Sequence, residues 1–321
     1  MLTIKRMLQE EQPRIDAVLN AEIDALPVQV RAIASHSLHA GGKRLRPLLA
    51  ATVGRAFGCN DPAIYTIAAA IEFVHVASLI HDDVLDNATT RRGILSAHAV
   101  FTPTVAILAG DAMLAHAAGM VARISNSHIS AVFAETVMRT AVGEIDEFTL
   151  QGNLDVDYPQ YLAMITGKTA WMLRVACEIP AYFAGAQADI VQAAATFGLE
   201  LGIAFQIVDD ALDIAPSQKT GKPSGGDLRE RKCTPLTRFY LDTLSEQEAA
   251  DFREKFTAGS FTDAEIAAII KEMRAKGLDE KTRTLAEPHL DVAQRELARI
   301  PATKERDMLA LVPDFIRTRG N

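Results

Sequence analysis

Cysteine is scarce in this chain: three in 321 residues, Cys59, Cys177 and Cys233, with no metal-ligand spacing between them. An odd, scattered set suits a reducing compartment better than a disulfide framework, so the cytoplasm is expected. Runs of alternating β-branched residues are absent too, which argues against a sandwich or barrel. No stretch rich in Pro, Gly or Ser separates regions of different character, so residues 1–321 read as a single domain. Positive charge is in deficit, 33 basic against 41 acidic residues for a net charge of -8, which speaks against a nucleic-acid binder that relies on a positive field. The opening MLTIKRMLQEEQPRID is charged throughout and lacks the apolar core of a signal peptide. The longest apolar run, around Val105 to Val121, contains Asp111 and His116 and reads as a buried helix rather than a membrane span.

Alanine and leucine are abundant and glycines are mostly isolated, so the fold class expected is all-α. Helices are expected over about 9–38, 44–57, 62–87, 103–123, 127–151, 158–185 and 188–214, with shorter ones from about 234 onward. Two loops follow acid-bearing helices, Asn87 to Gly93 and Pro216 to Lys232. Segments such as Asp263 to Lys276 and Leu278 to Ile300 are amphipathic and charged, and read as outer packing helices without chemistry of their own.

Two acidic clusters of one form, Asp82-Asp83-Val84-Leu85-Asp86 and Asp209-Asp210-Ala211-Leu212-Asp213, interrupt strongly apolar helical stretches. The first and last aspartates of each share a helix face one turn apart. Like charges so crowded raise one another's pKa unless a cation sits among them. Magnesium fits, because it takes hard oxygen ligands, is held by one or two carboxylates, and completes its shell with water and substrate phosphate. Cations for a diphosphate are at hand. Lys43 and Arg46 lie three apart at a helix start marked by Pro47, where backbone amides favour an anion. His75 stands two turns before Asp82 and can donate to the same ligand. Arg91, Arg92, Lys168, Thr169, Gln206, Lys222 and Lys232 complete the polar set. Gly167-Lys168-Thr169 imitates the end of a P-loop, but Leu162 stands where the first glycine is needed and no strand precedes it.

Taken together these residues resemble the trans-isoprenyl diphosphate synthase family, the polyprenyl synthetases. The resemblance spans about Leu38 to Pro235 and includes, in order, GGKRLRP, EFVHVASLIHDDVLD, RRG, Gly110-Asp111, Gly143-Glu144, GKT, FQIVDDALD and GKPSGGDLRERKCTP. It implies the isoprenoid synthase fold, an antiparallel bundle of long helices around a deep central cavity, and a homodimer. It implies magnesium as cofactor, roughly three ions per site, on Asp82, Asp86 and Asp209, with Asp83, Asp210 and Asp213 in support. Arg91, Lys168, Thr169, Gln206, Lys222 and Lys232 would hold an allylic diphosphate; Lys43, Arg46, His75 and Arg92 would hold isopentenyl diphosphate. One departure is visible: Arg231 precedes Lys232 where the family usually has glycine.

The activity implied is successive head-to-tail condensation of isopentenyl diphosphate onto the allylic partner. Residues one, two and three turns before Asp82, namely Ser78 with Ala77, then Val74, then Ile71, would line the path of the growing tail. Both residues of the first turn are small where short-chain members carry bulky aromatics, so a medium or long product is expected, suited to a quinone side chain and to release at a membrane. Residues near Met113, Leu114 and Val137 to Glu147 are candidates for a floor. The alternatives are a farnesyl or geranylgeranyl diphosphate synthase, a terpene cyclase or head-to-head condensing enzyme, which has no use for Lys43, Arg46 and His75, and a non-catalytic subunit of a heteromeric synthase, in which the aspartates or arginines should be eroded.

Overall fold

Proline makes the first break in the pattern. The helix expected over 9–38 is two, α1 (Leu2–Ala25) and α2 (Val28–Leu38), because Pro27 stands extended at φ -53, ψ 144 and offers no amide to continue the ladder. The computed structural model describes residues 2–42, 44–216 and 224–319. Next come α3 (Leu45–Ala56), α4 (Ala63–Leu85), α5 (Ala97–Phe101), α6 (Pro103–Ala122), α7 (Ser127–Leu150) and α8 (Tyr158–Ile165). A π turn, Thr166–Ala170, interrupts the helix expected over 158–185 before α9 (Trp171–Phe183). The rest are α10 (Ala188–Ala211) with a 3-10 turn at Leu212–Ile214, α11 (Gly226–Arg229), α12 (Pro235–Leu241), α13 (Glu246–Ala258), α14 (Asp263–Ala275), α15 (Leu278–Thr284), α16 (Glu287–Leu297), α17 (Lys304–Leu309) and α18 (Leu311–Arg317).

The loop expected after the first acidic cluster is a small antiparallel hairpin, β1 (Thr90–Arg91) and β2 (Ile94–Leu95), paired Thr90 to Leu95 and Arg91 to Ile94. Its two-residue turn, Arg92-Gly93, has φ +52 and +81, the left-handed pair that a tight hairpin turn requires. Among the described residues these are the chain's β-strands, and the all-α class stands.

The chain forms two compact units. The first comprises Met1–Met138, Met172–Gly198 and Glu296–Leu311. Its axis is α4, where Ile67 to Ile71, Phe73, Val74, Val76, Ala77 and Ile80 are buried. Small residues at Ala68, Ala69 and Ala70 let α3 and α6 pack close against it. Arg14 and Glu11 of α1 both bind the Tyr65 hydroxyl, at 2.9 and 2.7 Å, and tie α1 to this helix.

The second unit comprises Arg139–Trp171, Leu199–Arg295 and Val312–Asn321. Its charged helices start on reciprocal caps, Ser245 with Glu248 and Thr262 with Glu265. Tyr240, Phe252, Phe256 and Phe261 make an aromatic cluster beneath them, with successive ring centroids 5.2 to 5.9 Å apart. By length and composition three helices could cross a membrane, α4, α6 and Ala188–Ile214; of these, α6 is the most open, with 39% of its apolar window buried.

Candidate active site

The first acidic cluster occupies the last turn of α4, in the first unit. Asp83 is buried and accepts from Arg91 Nε at 2.7 Å, so this carboxylate steadies the hairpin. Asp82 is half-buried and Asp86, the C-cap, is exposed; the Asp86 amide donates to the Asp82 carbonyl at 2.8 Å. Arg92 turns the other way from Arg91 and donates to the carbonyl of Gly41. Gly42, at φ +132, permits that approach, since a Cβ there would lie 2.6 Å from the Arg92 guanidinium.

Behind this loop Arg46 donates to His75 Nε2 at 3.2 Å. Burial, then the charges of Arg46, Arg92, Arg44 and Arg91, hold the His75 imidazole well below its ordinary pKa, so it is neutral and that nitrogen is the acceptor. Burial likewise draws the Arg46 guanidinium down to about 10, and its Nε is buried without a partner. Arg44 faces inward, paired with buried Glu72 at 2.6 Å. Arg46, His75 and Arg92 are therefore brought together, while Lys43 lies outside the described residues.

Ile71, Val74 and Ala77 are buried on α4, and the half-buried Ser78 hydroxyl donates to the His75 carbonyl at 2.9 Å. Gly110 lets α6 close onto this helix: a Cβ there would meet His81 Cδ2 at 2.7 Å. His81 sits 3.0 Å from the Ile107 carbonyl and 3.5 Å from Asp111.

In the second unit, glycines again set the approach. A Cβ on Gly143 of α7 would lie 2.6 Å from the Gly167 carbonyl carbon, so only glycine lets α7 touch the π turn. The contact seats Lys168 between Glu144, at 3.0 Å, and Glu147. Lys232 joins them, 3.5 Å from Glu147 and 2.6 Å from Glu230. Burial works against ionised Glu147, yet Lys168 and Lys232 outweigh it and hold its pKa below the ordinary value. Gly202 presses α10 onto Ala170, and Thr169 then donates to Gln206 at 2.8 Å. π turns recur where a helix must present side chains at an unusual angle, and this one carries the whole GKT motif.

The second cluster divides its labour as the first does. Asp210 is buried and accepts from Gln206 at 2.7 Å and Tyr161 at 2.6 Å; burial still pushes its carboxyl up to about 7. Asp213 accepts from the amides of Gly226 at 2.9 Å and Asp227 at 3.3 Å, capping α11. Burial raises Asp213, and raises Asp227 well above the carboxylate range; one Asp227 oxygen has no partner. Asp209 is half-exposed and faces a cation, Arg319, at 2.9 Å. Lys222 lies outside the described residues.

Arg231 adopts φ +55, a left-handed conformation that glycine takes without strain. The loop nonetheless holds: Gly152 donates to the Arg231 carbonyl, the Lys232 amide donates to Asp227, each at 2.8 Å, and the Arg231 side chain reaches the Thr257 carbonyl at 3.1 Å. Sequence reasoning missed Glu147, Tyr161, Asp227 and Arg319 as members of this network. Glu147, one turn after Glu144 on a helix, carried a signal; Tyr161 and Arg319 carried none.

The donor chemistry suits a hard divalent cation. Among the described residues no three His, Cys, Asp or Glu side chains converge as a complete protein cage. Magnesium does not need one, since one or two carboxylates with substrate phosphate suffice. In both clusters the buried middle aspartate is engaged by protein donors and its neighbour towards the start of the helix lies nearer solvent.

Comparison with known proteins agrees with the motif order. The family model described as polyprenyl synthetase matches residues 27–273. A short chain isoprenyl diphosphate synthase of Methanothermobacter thermautotrophicus is 30% identical over 327 residues, 99% of each chain. The crystal structure of a decaprenyl diphosphate synthase from Rhodobacter capsulatus superposes with a TM-score of 0.92 at 32% identity, covering 99% of both chains. That of a polyprenyl synthase from Caulobacter crescentus, complexed with calcium and isoprenyl diphosphate, gives 0.93 at 30% identity, covering 99% of this chain and 98% of the other. With three quarters of its length under one family model and relatives matched end to end, this chain belongs to the polyprenyl synthetase family, whose fold is the all-α isoprenoid synthase fold.

Proposed function

We propose that this polyprenyl synthetase, a trans-prenyltransferase, adds isopentenyl diphosphate head-to-tail onto an allylic diphosphate and carries the product to medium or long chain length. The observation that carries the reading is the lysine pair of the second unit: Lys168 and Lys232 share Glu147, beside Thr169, Gln206 and an aspartate cluster. Magnesium, held by Asp82, Asp86 and Asp209, would act as the Lewis acid that stabilises charge on the departing diphosphate. Asp83, Asp210 and Asp213 hold the loops and partners around those ligands. Lys168, Thr169, Gln206, Arg91, Lys222 and Lys232 bind the allylic diphosphate, and the fixed charges of the lysines and Arg91 favour ionisation of its carbon-oxygen bond. Lys43, Arg46, His75 and Arg92 bind isopentenyl diphosphate; four arginines crowd a neutral histidine, and the carboxylates of Glu72 and Asp83 engage Arg44 and Arg91 rather than Arg46 or Arg92. The allylic cation must meet the double bond before water does, and the apolar residues Ile71, Val74 and Ala77 keep water out. The released diphosphate takes the final proton, so no side-chain base is required.

The relatives' names run from short chain to decaprenyl, so length is read from α4. Ala77 and Ser78 present no bulk beside Asp82, which favours the longer product. A homodimer is part of the proposal: α6 bares Val105, Ile107 and Leu108, at 41%, 41% and 62% exposure, and α7 bares Val142, Ile145 and Phe148. Apolar faces of this kind ask to be covered, and a second copy is the occupant proposed. The site of action is the cytoplasm, with membrane contact at product release. Incubation with radiolabelled isopentenyl diphosphate, a farnesyl primer and magnesium, followed by chromatography, should give products beyond geranylgeranyl diphosphate. Absence of any elongated product would reject the activity; arrest at geranylgeranyl diphosphate, one addition beyond the primer, would reject the longer product.

A further inference from the structure

Just past α18 a side chain from a distant part of the sequence sits on the second acidic cluster. Arg319 pairs with Asp209 at 2.9 Å, and its guanidinium lies over the ring of Phe205 at 4.4 Å, one helical turn before Asp209 on α10. The arginine is held from behind. Its carbonyl accepts from Arg283 at 2.9 Å, and Arg317 grips both carboxylate oxygens of Glu287 at 2.9 to 3.1 Å. One donor is left over: Arg319 NH1 is buried with no hydrogen-bond partner. A buried guanidinium nitrogen without an acceptor is costly, and an oxyanion is the group that would satisfy it.

We infer that Arg319 is a counter-cation built into the metal site, which neutralises Asp209 in the metal-free protein and transfers to a diphosphate oxygen when a divalent ion takes the carboxylate. This rests on the reading of Asp209 as a metal ligand given above. The physical logic is competition followed by reuse. A guanidinium and a divalent ion cannot share one carboxylate without repulsion, so the ion displaces the arginine. The displaced fork is planar, permanently charged and already anchored through its backbone, which suits it to a diphosphate oxygen. Arg319 therefore raises the threshold for metal alone and lowers it for metal with diphosphate.

Manganese, counted by the paramagnetic signal of the free ion, tests both halves without turnover. Arg319→Gln should bind manganese alone on the order of threefold more tightly, the size of one partly exposed ion pair released. With inorganic pyrophosphate present the order should reverse, the variant binding roughly tenfold more weakly for want of a charge-assisted bond. Arg319→Lys keeps the charge but not the fork, and should restore the first behaviour and not the second. Unchanged manganese affinity in Arg319→Gln, in the absence of pyrophosphate, overturns the inference. Asp209→Asn is measured beside it: if that variant binds manganese as the parent does, the metal-ligand reading itself has failed, whereas weakened binding there with no effect of Arg319→Gln condemns the counter-cation alone. Circular dichroism melts of each variant confirm that folded protein is compared.

Discussion

Replacing Gly143 by alanine adds one methyl group and should cost most of the activity. The added Cβ would overlap the Lys168 amide nitrogen and lie 2.6 Å from the Gly167 carbonyl carbon and 2.8 Å from Lys168 Cα, where 3.4 Å is an ordinary contact, so α7 and the π turn must part by more than about 0.8 Å. All three obstructing atoms are backbone and cannot swing aside. Overpacking of this kind costs about 1–3 kcal/mol, and the rigid partners argue for the upper end. Alanine returns about 1 kcal/mol through its helix propensity, leaving a net loss of about 2 kcal/mol. The melting temperature should fall by about 4–8 °C. Activity should suffer more, because Lys168 is aimed through this contact and a misplacement near 1 Å costs up to about 10²-fold. The measurements are urea or thermal melts and kcat/KM for isopentenyl diphosphate. Gly119→Ala is the control: a Cβ there meets nothing within 4 Å, so it should stabilise α6 by about 0.5–1 kcal/mol. A Gly143→Ala protein that melts with the parent and keeps kcat/KM within about threefold would refute the argument that glycine is required for the approach.

Three further outcomes follow from other sites. Arg231→Gly relieves the left-handed backbone at φ +55 but loses the bond to Thr257, so stability should change by less than about 1 kcal/mol and kcat/KM should stay near the parent's; a tenfold loss would mean that the Arg231 side chain itself serves the site. Ser78→Phe places an aromatic one turn before Asp82 and should shorten the products on reversed-phase plates, and unaltered lengths would remove α4 from the tail's path. Glu147→Gln strips a carboxylate from Lys168 and Lys232, each of which keeps another acidic partner, so it should cost about 1–2 kcal/mol at pH 7. Because the folded pKa of Glu147 lies below 4.5, its contribution is present above that value and is lost as pH falls through the folded pKa; the gap between parent and variant melts should close on acidification and not on raising pH.

The helices and the motif residues were legible because both are written locally. Apolar periodicity marks α4 and α10, and each aspartate cluster sits at a helix end where one turn of geometry places its carboxylates. What sequence did not reveal depends on contacts between distant segments. The π turn at Thr166–Ala170 has no composition of its own; it lies where Gly143 and Gly202 admit close neighbours on either side. The hairpin at Thr90–Leu95 hid behind an arginine in a position where Asn or Gly is the usual signal. Tyr161 and Arg319 are ordinary residues until the fold delivers them to Asp210 and Asp209.

Three arginines, Arg44, Arg92 and Arg231, hold positive φ values of 47, 52 and 55, and all three stand in motif loops beside proposed substrate cations. A non-glycine residue pays on the order of 1 kcal/mol or more for that conformation, so the arrangement needs a compensating use. Each case supplies one. The Arg44 turn lets its side chain enter the protein to Glu72 while the chain goes on to Arg46. The Arg92 turn reverses the hairpin, sending Arg91 to Asp83 and Arg92 to the Gly41 loop from adjacent positions. The Arg231 turn brings Lys232 back to Glu147. In an extended or helical backbone the neighbouring side chains would point differently, and the cations would not gather. Backbone strain here is the means by which short loops aim charge, so the motifs in these loops mark the proposed binding residues while the left-handed turns that aim them are not read from composition.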